Sequence, residues 1–176
     1  IKRNKEKKTI KFSNIYISLR SISLRIKIFL SCFLFVLTLG YLSGLDLLNF
    51  TTNFSVSGIE RNILGAPENY DQDVIYFKMP KAELNTIVHT HLISLSCVFL
   101  LLGLIFNCTN YNLFLKKFFM VEPMICLVTT FGSMWLLWHG FIWTKYLIMI
   151  SGLIMHSSFI IMIFLIYKDM FFQKTN

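Results

Sequence analysis

The chain holds 176 residues, 55% of them hydrophobic, with mean hydropathy +0.62 and a formal charge of +8. Its apolar residues come in long blocks, which excludes an ordinary soluble domain. Nine of the 17 basic residues precede Ile28, directly before the first such block. That placement suits anionic lipid and the positive-inside rule, and it argues against nucleic acid as a partner.

Residues 1–27 form a basic cytoplasmic or interfacial segment. After an opening charge run, Leu19, Ile22 and Ile26 recur at helical spacing with Arg20 and Arg25 off that stripe. This predicts a short helix in the headgroup layer, although the alternation of Ile, Ser and Leu also suits a strand. Richness in Ser and Lys resembles an organellar transit peptide too, but those favour Arg.

Residues 28–176 read as one membrane domain with four spans, at about 28–45, 85–107, 118–141 and 145–167. The first lacks a following A-x-A cleavage site and reads as an uncleaved anchor; Gly40, Ser43 and Gly44 near its far end allow close approach of another helix. The loop 46–84 carries six acids against three bases and is punctuated by Gly58, Gly65, Pro67 and Pro80. Turns and short helical pieces are expected there, too few to bury a core. Lys116 and Lys117 follow the second span, and Lys168 and Lys174 follow the fourth. Only three residues, Ile142 to Thr144, separate the last two spans, which makes them an antiparallel hairpin. The expected fold is thus an all-α integral membrane four-helix bundle, both termini cytoplasmic, with one acidic external loop.

Polar groups inside spans are costly and so mark candidate sites. At 100° per residue, Asn85, His89, Ser96, Gly103 and Asn107 fall within roughly 40° on the second span, while His91 points nearly the opposite way. An H-x-H pair on a helix therefore does not chelate one metal, and no metal site is expected. The third span shows a stripe of Glu122, Cys126, Thr129, Ser133 and Gly140. Glu122, directly before Pro123, is placed near the cytoplasmic edge, where it caps the helix or, as the sharper alternative, serves a proton path. On the fourth span Met149, Gly152 and His156 share a face, with Ser151, Ser157 and Ser158 elsewhere.

All four histidines lie in spans. His89, His91, His139 and His156 are accordingly candidate haem ligands, with His89 and His139 best matched in depth and haem b the cofactor such a pair implies. The bland reading is that each imidazole bonds a hydroxyl or carbonyl and pins the bundle. None of the four cysteines shows C-x-x-C spacing, and no phosphate loop, nucleophile elbow or H-E-x-x-H motif occurs. The chain has no catalytic constellation of its own. The expected function is a non-catalytic accessory subunit of a larger inner-membrane complex, of respiratory or electron-transfer type, with other membrane subunits as partners. A small b-type cytochrome and a proton- or ion-conducting oligomer are the alternatives. The expected location is a bacterial inner membrane, or else an organellar one.

Overall fold

The computed structural model describes residues 18–66 and 77–172. Among these there is no strand, and four helices are long and apolar enough to cross a membrane. They are α1 (Leu24–Thr52), α3 (Lys81–Asn107), α4 (Leu113–Trp138) and α5 (Thr144–Tyr167), with a short α2 (Val56–Leu64) after α1 and a π-helical turn, Lys168–Phe172, after α5.

Tertiary contacts override the helix expected around Leu19 to Ile26. Ser18 to Ser23 turn instead, because Leu19 N–H donates to Cys108 O at 2.9 Å and Arg20 reaches Asp169. The expected segment before Ser18 lies outside the described residues, as does the loop over 67–76. The first span begins earlier than its apolar block and runs on through Asp46, ending where Asn53 takes a left-handed φ of 51°. Asn tolerates that conformation better than most side chains. The third span also starts earlier than composition suggests. Asn112 caps it by accepting from Leu115 N–H at 2.8 Å, and Lys116 reaches back to Asn107 O. It stops at Trp138, followed by His139 and by Gly140 with φ 99°.

α4 and α5 pair most closely, with α3 against both. Phenylalanines fill the space between them: Phe106 meets Phe119 edge-on at 5.6 Å, and Phe99 meets Phe159 at 6.4 Å. α1 is the outlying helix. Only 6% of its apolar window is buried, against 39% for α4. It is held chiefly through Leu34 and Tyr41, whose ring stacks on Phe159 at 3.6 Å.

The two ends of the bundle are closed differently. At the hairpin end, α2 lays Ile59 and Ile63, one turn apart, onto Leu137 and Ile148. Its Glu60 accepts from Lys145 Nζ at 2.6 Å. Met79 N–H donates to Ile63 O, Trp138 Nε1 donates to Met79 O, and Lys78 Nζ lies 4.2 Å from the Trp138 ring centroid. The elbow between α1 and α2 admits no side chain at Gly58, where a Cβ would stand 1.8 Å from Thr52 O. At the other end, Asp169 is fully buried and takes hydrogen bonds from Arg20 (2.8 Å) and from Asn110 N–H (3.2 Å). Asn110 also donates to Ser18 Oγ, Lys27 to Met170 O and Tyr167 to Ser31 O. This clamp joins the entering chain, the α3–α4 turn and the end of α5. Burial, then the Asp169 carboxylate, pushes the nearby Tyr111 phenol up, against the opposing pull of Arg20.

Removing the Asp169 carboxylate takes away a buried acceptor of both Arg20 and Asn110 N–H. Asp169→Ala should lower stability by about 3 kcal/mol, measured by titrating the purified protein from mild detergent into a denaturing one. Gly58→Ala should cost about 1–3 kcal/mol in the same assay, since the elbow has to open.

Candidate functional site

A hydroxyl in lipid must find a partner or stay costly. Some here solve this within their own helix: Ser31, Thr38, Thr129 and Ser157 each donate to the carbonyl four residues back. Others build a seam between helices. Thr144, Ser151 and Ser158 stand seven residues apart on α5, the spacing that keeps one stripe against a neighbour crossing at a shallow angle. Opposite them on α4, Ser133 O accepts from Thr144 Oγ1 at 3.2 Å, and Thr130 Oγ1 meets Ser151 Oγ at 2.7 Å. Glu122 Oε2 accepts from Ser158 Oγ at 2.5 Å. Cys126 Sγ completes the group by donating to Glu122 Oε1 at 3.1 Å.

Glu122 therefore lies deeper than the edge position read from the sequence. It is level with Ser158, nine residues and about 13 Å from Tyr167. Because α4 begins at Leu113, Glu122 and Pro123 are ten or so residues inside a continuous helix and cap nothing. The carboxylate instead ties α4 to α5. Of the stripe inferred from sequence, Glu122, Cys126 and Ser133 face the seam, but Thr130 takes the place given to Thr129. The seven-residue repeat on α5 was present in the sequence and would have located Ser151 and Ser158 there.

The four imidazoles go to different surroundings. His156, near the middle of α5, shares a 2.6 Å hydrogen bond with the Tyr41 hydroxyl through Nδ1, the contact that fastens α1. His91 is exposed on α3, donates Nδ1–H to Ile87 O at 2.9 Å, and leans on Phe131 at 5.4 Å. His139 is exposed beyond the end of α4, donates Nδ1–H to Trp135 O at 2.8 Å and lies between Trp135 and Trp138. His89 is exposed on α3. Since His91 is level with Phe131, His139 stands about 12 Å further along the bundle, and about 9 Å beyond His89. One copy of the chain thus brings no two of these rings to a common depth across a flat cofactor. Among the described residues no three metal-ligating side chains converge.

A bundle of four apolar crossings, sealed by polar seams and clamped at both ends, defines a multi-span integral membrane protein. Residues 53–176 match the family described as a transmembrane helical domain, Aq_1264_TM, and the chain belongs to that family. Neither a curated protein nor a solved structure matches it.

Ser158→Ala deprives Glu122 of its α5 partner and should cost about 0.6–1.7 kcal/mol. Glu122→Gln, which keeps an acceptor for Ser158, should cost less than Glu122→Ala. Unfolding titrations of the three variants check this order.

Proposed function

We infer that the protein is a non-catalytic subunit of a larger membrane assembly, seated in a bacterial inner membrane with both ends in the cytoplasm. The observation that carries this reading is that seven polar side chains between the described helices are spent on holding those helices together. Glu122, Cys126, Thr130, Ser151, Ser158, Tyr41 and His156 all bond across helices or to each other. None is left converging on a space where a substrate could react. Orientation follows charge: the clamp end carries Arg25, Lys27, Lys116, Lys117 and Lys168, and its acid, Asp169, is consumed by Arg20. A respiratory or other electron-transferring assembly remains the most specific host we propose.

Purification in mild detergent should yield a second polypeptide at fixed stoichiometry, stable through size exclusion and reproduced by co-expression of the two genes. Isolation solely as copies of this chain would overturn the reading. The same preparation should show no Soret band; a stoichiometric haem spectrum abolished by His139→Ala would favour the b-type cytochrome instead. In proteoliposomes, proton leak should be unchanged by Glu122→Gln, which separates the subunit from a conducting oligomer.

A further inference from the structure

α1 carries a charge on a surface turned away from the bundle. Leu34, Tyr41 and Thr52 fall on the arc that faces the other helices. Asp46 is about 120° round from it, with Asn49, Asn53 and Ser43 spread over roughly 60–180°, all four exposed and lining a shallow open groove with Phe50. Asp46 has no hydrogen-bond or ion-pair partner among the described residues.

The depth of Asp46 follows from contacts already given. Tyr41 is level with His156 and α1 runs antiparallel to α5, so Asp46, five residues on, is level with Ser151. The apolar run of α5 begins at Tyr146, so Asp46 lies about 8 Å along the bundle from the outer end of that run. A short carboxylate side chain does not reach the headgroups from there. Ionisable groups at such depth face protein or water and are paired. Lys145, the nearest base by depth on α5, is at the edge and already bonded to Glu60.

The same level carries a complementary group on another outward face. Ser151 bonds Thr130, Phe131 follows Thr130, and His91 rests on Phe131. Asp46 and His91 thus lie at about the same level of the bundle. Copies inserted in the same orientation keep that match whatever their lateral placement. With Nδ1–H committed to Ile87 O, His91 Nε2 presents a lone pair when neutral and an N–H when protonated. A carboxyl group meeting it shares one proton, and the pair carries no net charge.

We propose that two copies of this chain associate side by side in the membrane, Asp46 on α1 of one meeting His91 on α3 of the other. Asp46 facing its own equivalent would juxtapose like charges, so the contact is between unlike helices. This association does not depend on the subunit reading, which concerns a different polypeptide.

The test uses disulfide trapping in native membranes. Cys32, Cys97, Cys108 and Cys126 are first replaced by Ala. Two differently tagged full-length copies are then co-expressed, one with Asp46→Cys and one with His91→Cys, and oxidised with copper phenanthroline. A disulfide joining the two tags is expected, well above that of a control pair, Val36→Cys with Leu100→Cys, both at exposed positions. In parallel, Asp46→Ala and His91→Ala, with the native cysteines retained, are each expected to weaken dimerisation in nanodiscs about tenfold, the scale of one interhelical hydrogen bond in lipid. The exchange Asp46→His with His91→Asp should restore it. Cross-linking no better than the control, or dimers indifferent to both substitutions while the variants elute as folded protein, overturns the proposal. Trapping of Asp46→Cys to a different polypeptide alone would also overturn it and assign the face to that partner.

Discussion

Water is absent from the hydrocarbon layer, and this one condition governs the whole bundle: each N–H, C=O and hydroxyl there needs a partner made of protein. Helices solve the backbone part. The side chains are divided by where they face. Hydroxyls turned to lipid, such as Ser157, bond their own helix, whereas those in the seam, such as Thr130 and Ser151, also meet a neighbour. The second group orders the architecture. Apolar contact between helices gives little preference over apolar contact with lipid, so register depends on the few positions where a donor meets an acceptor. Thr144, Ser151 and Ser158 set the rotation and height of α5 against α4, and Tyr41 with His156 does the same for α1.

That division explains what could and could not be read from the amino-acid order. Four apolar blocks, a tight α4–α5 turn and short helical structure in the loop after the first span are visible because they depend on composition and local signals. Helix ends are less visible. Asn112 and Asn53 end or begin helices inside stretches that look like loop or span, and the cap is a property of one side chain's geometry. The clamp was harder still. Asp169 stands in a basic tail and reads as a flanking charge, although a lone acid there is conspicuous once Arg20 is known to reach it. The choice of Thr130 over Thr129 turns on a rotation of α4 by one residue, which only the position of α5 decides.

The imidazoles illustrate the same limit from the side of function. Their confinement to spans is evident in the sequence, and it suggests a shared task. The folded chain gives them separate ones: His156 fastens α1, His139 sits among tryptophans near the membrane edge, and His91 looks outward at the level of Asp46. Depth, not residue type, distinguishes them, and depth is set by how antiparallel helices slide past one another.

The link between Arg20 and Asp169 spans 149 positions of the chain. Synthesis therefore delivers Arg20 ahead of α1 and Asp169 only after α5 has been made. Until then Ser18 and Leu19 can bond the α3–α4 turn, but the clamp lacks the buried carboxylate that ties both to the end of α5. Closure thus requires α5 to cross in the right direction, since an inverted α5 would carry Asp169 to the opposite face of the membrane.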